Sequence, residues 1–261
     1  MAHPAPEHRA AALAAADVAG AVIRPLFRTR PEATLKADAS PVTVADRAAE
    51  QAMRAVLHAR CPDCGIAGEE FGIDRPDAPW RWVLDPIDGT RAFLTGRPVF
   101  ATLIALLHHD EPVLGVIDQP VTGERWLGVA GEATQFHGPF GGLPATRPCP
   151  ALAAAELSAT SPEMLGPHRP AWDRLAAQVR RVSWGGDAYA YGLLALGQID
   201  LIAEADLKPW DWAALVPVIQ GAGGRITDWS GAPLRADGDG RVLAVGDPAL
   251  LPAAVAALAG G

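Results

Sequence analysis

Two aspartates stand three residues apart in the segment WVLDPIDGTRAF, residues 82–93, with proline between them and Gly89-Thr90 directly after. The run over 81–84 should deliver Asp85 to the end of a strand. Pro86 fixes its own φ and pushes Asp85 toward an extended conformation. A tight turn through Ile87 then brings Asp85 and Asp88 to one side, about a metal ion's diameter apart. Gly89 lets the backbone come close to a ligand, and amides at the start of a helix favour an anion there. One short turn can so hold cations by carboxylate and touch the phosphate those cations also bind. Mg²⁺ suits it, since it takes hard oxygen ligands, commonly one or two carboxylates plus phosphate oxygens. The plain alternative is an Asx-turn with a glycine between strand and helix, so other acids must converge here.

Two further segments carry acids: Gly68-Glu69-Glu70, after Ile66-Ala67, and Trp210-Asp211-Trp212-Ala213-Ala214. Alone, Asp211 reads as a helix N-cap and Glu69 or Glu70 as a solvated loop charge. Taken jointly, GEE, DPIDGT and WDWAA resemble the inositol monophosphatase family, with a likeness running from Lys36 to Gly231 that includes WDWAALVPVIQGAGGRITDWSG. The resemblance implies a layered αβαβα sandwich, of mixed α+β and α/β character, and a Mg²⁺-dependent phosphomonoesterase with two or three Mg²⁺ per active site. Carried over residue by residue, it implies that Glu70, Asp85, Asp88 and Asp211 ligate the metals and that the Ile87 carbonyl completes a site. Gly89 and Thr90 would hold phosphate through backbone amides. Asp46, in SPVTVADRAAE, would pair with the Thr90 hydroxyl to orient the attacking water, with Glu70 helping to deprotonate and aim it. Lys36 matches a family lysine near the metals. Paired Mg²⁺ ions stabilise attacking and leaving oxygens of an in-line displacement, without a covalent intermediate. The aspartyl-nucleophile route of D-x-D-G-T phosphatases is closed at this turn, because Pro86 occupies the nucleophile's position.

Beyond the metal motifs, Arg91-Ala92-Phe93, FATLIALLHHDEPVLGVIDQPVTGERWLG and WGGDAYAYGLLALGQIDLIAEADLKPWD look like the histidinol-phosphate phosphatase branch. Histidinol phosphate carries an amine that is positive at neutral pH. A pocket for it should offer carboxylates beyond those on metal, and Asp187 and Glu204 are the candidates, with Arg91 as a further substrate contact. Their plain readings are a helix N-cap for Asp187 and a strand-end surface acid for Glu204. Three rivals stand beside this reading. One is an inositol-selective or broad monophosphatase. A nucleotide 3′-phosphatase is favoured by the basic residue after D-G-T but lacks a further basic cluster. A non-catalytic binding paralogue would be expected to have lost a ligand.

These motifs need a scaffold. The chain has 261 residues, 49% of them apolar, enough for a large buried core. A formal net charge of −8 with only two lysines, Lys36 and Lys208, argues against nucleic acid, whose affinity rests on basic side chains. The start has no basic n-region of a signal peptide, and no apolar run approaches the roughly 18–20 residues that cross a bilayer, so the cytoplasm is expected. Cys61 and Cys64 form a C-x2-C with no second pair to complete a zinc site, and read as two thiols in a reducing compartment. The seven histidines do not cluster in the sequence. Helices are predicted over 6–24 and from about Thr43 to Arg60, then strands over 81–84, 99–107, 113–118 and 124–129. The Gly/Pro-rich stretch 137–150 marks a boundary between an N-terminal α+β half, 1–145, carrying most metal ligands, and an α/β half, 146–261, completing the metal and substrate site. In the second half strands (155–160, 199–203, 225–228, 241–245) alternate with helices (187–197, 212–222, 248–259). Family likeness implies a homodimer.

Overall fold

The computed structural model describes residues 2–29, 33–35 and 41–260; Lys36 lies outside them. The first layer is a pair of helices, α1 (Pro6–Leu26) and α2 (Val44–Arg60). Along α1 the buried residues are Ala11, Ala12, Ala15, Ala16, Ala19, Gly20 and Ile23, a stripe of small side chains at helical spacing. It lies on Ala45, Ala49, Met53 and Leu57 of α2 in one core. Pro25 does not end α1 where the sequence suggested, because a proline in the last turn forfeits only one intrahelical bond. α2 begins in a capping box: Thr43 Oγ1 accepts from Ala45 N at 3.1 Å, and Thr43 N donates to Asp46 Oδ2 at 2.9 Å. A short hairpin, β1 (Ala33–Leu35) with β2 (Pro41–Thr43), precedes it.

The second layer is a seven-stranded sheet in the order β4 (Gly72–Asp74), β3 (Gly65–Gly68), β5 (Trp80–Asp88), β6 (Ala101–His108), β7 (Glu111–Gln119), β8 (Glu124–Val129) and β9 (Gln135–His137). Only β3 and β5 run parallel. Because successive strand residues face opposite ways, Trp82, Leu84, Ile104 and Leu106 meet the α1–α2 layer while Val83, Leu103, Ala105 and Leu107 meet the layer beneath. Both faces are dry, which explains why this antiparallel stretch reads as a continuous apolar run rather than an alternating one.

The middle layer holds α5 (Asp187–Ala195), α6 (Pro209–Trp212) and α7 (Leu215–Gly221). Below it lies a five-stranded mixed sheet in the order β11 (Arg181–Trp184), β10 (Glu156–Ala159), β12 (Leu201–Glu204), β14 (Val242–Val245) and β13 (Arg225–Thr227). α4 (Arg169–Ala176) and α8 (Leu251–Ala259) cover its outer face, and α3 (Thr90–Leu94) follows β5. The result is the five-layer αβαβα sandwich. The two sheets fall on either side of the stretch 137–150 and share the apolar core of the middle layer. Among the described residues no helix is long and apolar enough to cross a membrane.

Two glycines allow the middle layer to sit directly on the upper sheet. A Cβ on Gly115 would stand 2.0 Å from the Ala214 carbonyl oxygen, and one on Gly128 would stand 2.3 Å from Val218 N. The two residues are cross-strand neighbours in β7 and β8. Gly128→Ala must therefore push α7 off the sheet. Its expected cost is about 1–3 kcal/mol, the range for overpacking, read as a lower denaturation midpoint; an unchanged midpoint would contradict this contact.

Candidate active site

The end of β5 is built to present acids. Its pairing with β6 slips between Asp85 and Asp88, and this irregularity is pinned twice. Thr102 Oγ1 donates to the Pro86 carbonyl at 2.7 Å, and Ile87 N donates to Asp85 Oδ1 at 3.0 Å. Asp211 arrives from the first turn of α6, where Lys208 N donates to its Oδ2 at 2.7 Å. Carboxylate oxygens of Asp85, Asp88 and Asp211 lie within 4.8 Å of one another. Asp88 Oδ2 also accepts from Ala188 N, which ties the turn to the start of α5. There Asp187 holds a left-handed φ of 43°, an uncommon conformation for a residue with a side chain. Gly89 has a φ of 92°, and a Cβ on it would stand 2.7 Å from Asp187 Cγ. Only glycine fits that approach.

Of the two GEE acids, the one that lines the cavity is Glu69, not Glu70, to which the sequence reading gives the metal. Glu69 N bonds the Leu84 carbonyl at 3.2 Å, so its side chain starts beside Asp85 and lines the cavity. Glu70, the next residue, is not on that lining: its buried side chain lies beside Asp46, whose pKa it raises, with Oε2 3.8 Å from Arg47 Nε. The arrangement depends on a residue that the sequence reading passed over. Glu50, fully buried on α2, accepts from Glu70 N at 2.8 Å, Phe71 N at 3.3 Å and Arg54 Nε at 2.8 Å. A buried Glu four residues before an Arg on a helix was the available signal.

Asp46 and Thr90 meet, with Thr90 Oγ1 donating to Asp46 Oδ1 at 3.4 Å and to the Ile87 carbonyl at 3.3 Å. Burial pushes Asp46 up to about 6, against the hydrogen bonds from Thr43. Ile87, Gly89, Thr90, Arg91 and Asp187 all line one cavity of about 340 Å³ together with Asp85, Asp88 and Asp211. Arg97 and Asp206 also line it and were not anticipated. Glu204 is not on this lining. It is 4% exposed, accepts from Tyr191 Oη at 2.8 Å and Thr160 N at 2.6 Å, and lines a small recess of about 30 Å³ that it shares with Asp88, Asp187 and Asp211. A larger depression of about 490 Å³ lies beside α1 and β8. Its main charges already pair, Arg125 with Asp118 at 2.6 Å and with Asp17 at 2.9 Å, so it offers no convergent unpaired groups.

The electrostatics of the smaller cavity are those of a cation site. Burial, then Glu69, Asp88 and Asp211, hold Asp85 well above the usual carboxylate range. Asp88 is raised by burial and by Asp187 and Asp211, and burial takes Asp211 to about 7. The hydrogen bonds to Asp85, Asp88 and Asp211 come from neutral backbone N–H groups, which orient the oxygens without cancelling their charge. Three carboxylates and the Glu69 side chain form a hard oxygen donor set that fits Mg²⁺.

The inositol monophosphatase family matches this sequence over residues 6–259. The chain belongs to that family. An inositol monophosphatase of Zymomonas mobilis has a solved structure with a TM-score of 0.87 to this one at 48% identity, covering 98% of this chain and 100% of that one. The chloroplastic bifunctional phosphatase IMPL2 of Arabidopsis thaliana is 48% identical over 221 residues, 84% of this chain; the match spans 63% of that protein, a little under two thirds. The histidinol-phosphatase of Chlorobaculum parvum is 35% identical over 241 residues, 89% of this chain and 90% of its own. This inositol monophosphatase relative is accordingly a metal-dependent phosphomonoesterase.

Two outcomes test the site. Glu69→Gln should raise the Mg²⁺ concentration for half-maximal phosphatase activity by at least the ~10–100-fold that losing even an outer partner of a ligand costs, with Glu70→Gln leaving it near the wild-type value; the reverse ranking would restore Glu70. The second concerns pH. A carboxylate raised in the folded state binds more protons there than when unfolded, so its stabilisation is present at low pH and is lost as pH rises through the folded pKa. With Asp211 and Asp187 each raised from 3.8 to about 7, the melting temperature of the metal-free protein should fall as pH rises from about 4 to about 7. Saturating Mg²⁺ should flatten that fall. A metal-free melting temperature that ignores pH would remove the uncompensated charge.

Proposed function

We propose that this phosphatase hydrolyses L-histidinol phosphate to L-histidinol and phosphate. Asp187 carries the reading. It is a carboxylate in the cavity wall, beside the phosphate-side turn at Gly89 and outside the cluster of Asp85, Asp88 and Asp211. Burial and Glu204 push it up to about 7, with Arg97 and Arg91 pulling it down. A substrate ammonium placed against it would relieve that penalty, whereas a polyol hydroxyl would not. The names of relatives from Chlorobaculum parvum and Mycobacterium tuberculosis, both histidinol-phosphatases, support the same choice.

In this proposal Asp85, Asp88, Asp211 and Glu69 hold Mg²⁺, and Ile87 contributes its carbonyl. Bound there, Mg²⁺ supplies Lewis-acid stabilisation of the charge that develops on phosphoryl and leaving oxygens. Gly89 and Thr90 hold the phosphate through backbone N–H groups. Thr90 Oγ1 and Asp46 Oδ1 aim the attacking water, and Asp46, raised to about 6, sits in the range where a carboxylate can accept a proton and release it again. Arg91 and Arg97 line the same cavity beside Asp187. The proposal includes a homodimer and a reducing compartment such as the cytoplasm; free thiols at Cys61, Cys64 and Cys149 support the latter.

A second reading, inositol monophosphate, is favoured by the Zymomonas mobilis structure at 48% identity. One experiment separates them. At saturating Mg²⁺, Asp187→Asn should lower kcat/KM for histidinol phosphate by roughly ten- to several-hundredfold, the worth of a few kcal/mol of charge pairing, and much less for inositol 1-phosphate. Equal losses on both esters would reject the ammonium-recognition argument.

A further inference from the structure

The C-x2-C of Cys61 and Cys64 lacks a second pair in the sequence but finds a third soft donor in space. α2 ends at Cys61, whose N–H bonds the Leu57 carbonyl at 2.8 Å. A turn closed by Cys64 N on the Cys61 carbonyl at 3.1 Å then returns the chain to β3. The first turn of α1 places His8 opposite, with Nε2 4.0 Å from Cys64 Sγ. One ring nitrogen and the two sulfurs all lie within 4.8 Å of one another. Cys61 and Cys64 are 7% and 4% exposed, and none of the three residues lines the catalytic cavity.

An independent feature points to a ligand here. The indole Nε1 of Trp82, fully buried on β5, has no hydrogen-bond partner among the described residues. Burial raises both thiols, and the nearby indole N–H works against that rise, toward thiolate. Trp80 and Trp82 also wall the His8 ring, at centroid distances of 4.9 and 6.1 Å. A thiolate, which metal binding would create here, is the acceptor this buried N–H lacks, and such outer-shell donors tune a thiolate metal site.

We propose that His8, Cys61 and Cys64 form a second metal site, selective for Zn²⁺ and separate from the Mg²⁺ centre. Two thiolates and a neutral imidazole carry two negative charges, which a divalent ion cancels; Cu⁺ would leave one buried and uncompensated. Sulfur and imidazole donors select a soft or borderline ion, whereas the oxygen donors of the catalytic cavity select Mg²⁺. With a water as fourth ligand, Zn–S near 2.3 Å and Zn–N near 2.0–2.1 Å in a tetrahedron put sulfur and nitrogen about 3.6 Å apart, close to the present 4.0 Å. Ligation through Nε2 moves the ring proton to Nδ1, which now accepts from Ala5 N at 3.2 Å; that exposed N–H turns to water. A redox role for the thiols fits less well, since burial pushes Cys64 up to about 11, opposite to the shift of a reactive cysteine. The bound ion ties the first turn of α1 to the entrance of β3, whose far end leads into Glu69.

The test is a Co²⁺ titration of the reduced, full-length protein in excess Mg²⁺, followed by optical absorption. Oxygen ligands cannot produce a thiolate-to-Co²⁺ charge-transfer band, so the catalytic cavity is silent in this readout. The expected result is a charge-transfer band with tetrahedral d–d bands, saturating at one equivalent per chain and bleached by Zn²⁺. The band should vanish in Cys61→Ser and Cys64→Ser, and persist in Asp85→Asn. His8→Gln alters a half-buried surface side chain and serves if a cysteine variant fails to fold: it should weaken Co²⁺ binding by about tenfold or more. No band in the wild type overturns the proposal. So does a band that survives both cysteine changes, which would assign it to Cys149, or unaltered affinity in His8→Gln.

Discussion

Everything in this fold that bears on chemistry follows from holding buried carboxylates together against their own repulsion. Asp85, Asp88 and Asp211 would each be held most cheaply by a lysine or arginine, and the chain does not take that route. It uses neutral backbone donors instead: Ile87 N on Asp85, Ala188 N on Asp88, Lys208 N on Asp211. A backbone N–H fixes the direction of an oxygen while leaving its charge for a cation. A guanidinium would have filled the position that the metal needs. The two arginines of the cavity, Arg91 and Arg97, act on Asp187 rather than on that triad, which suits a division between metal site and substrate wall.

The layered architecture follows from where those donors must come from. Asp85 and Asp88 end a strand of the upper sheet, and Glu69 follows its parallel neighbour. Asp211 and Asp187 start helices of the middle layer. The oxygens converge only if helices and sheet touch closely, and Gly115 and Gly128 permit that contact by having no side chain. The same economy of size appears at Gly68, where a Cβ would stand 2.0 Å from Glu50 Oε1, so that Glu50 can reach the turn at Glu69–Phe71. Packing far from the metals therefore sets ligand geometry, and the core should be regarded as part of the site.

What was legible in the sequence was what local chemistry decides. Pro86, the Asx contact of Asp85 and the glycine at 89 sit within a few residues of one another, so their turn could be read directly. The continuous apolar runs gave β5 to β8, and the wide helical stripes gave α1 and α2. What failed depended on partners distant in the chain. Glu69 and Glu70 are identical neighbours, and only the bonds their N–H groups donate, to the Leu84 carbonyl and to Glu50, decide which one lines the cavity. The plain reading of Glu204 as a strand-end surface acid fails because the side chain is buried, with Tyr191 and Thr160 each donating to one of its oxygens. Arg181–Trp184, a largely exposed edge strand of four residues, has too little apolar periodicity to announce itself. The α4 helix lies among prolines and short polar runs that resemble a loop.

Selectivity among phosphate esters must then reside in a small part of the cavity. Metal ligands and the phosphate turn treat every monoester alike, because they touch only the group that all of them share. Discrimination falls to the wall, where Asp187 stands in a left-handed backbone conformation beside Gly89. Such strain is kept only where surrounding contacts fix it, and here Asp88 supplies one by accepting from Ala188 N. That bond couples the wall to the metal cluster: the residue that orients a ligand oxygen also orients the carboxylate facing the substrate. A cation on the substrate would thus be felt at Asp187 and, through the adjoining peptide, at Asp88. If the substrate is histidinol phosphate as proposed, recognition of the leaving group and stabilisation of the metal site become one electrostatic problem, met by a single turn at the start of α5.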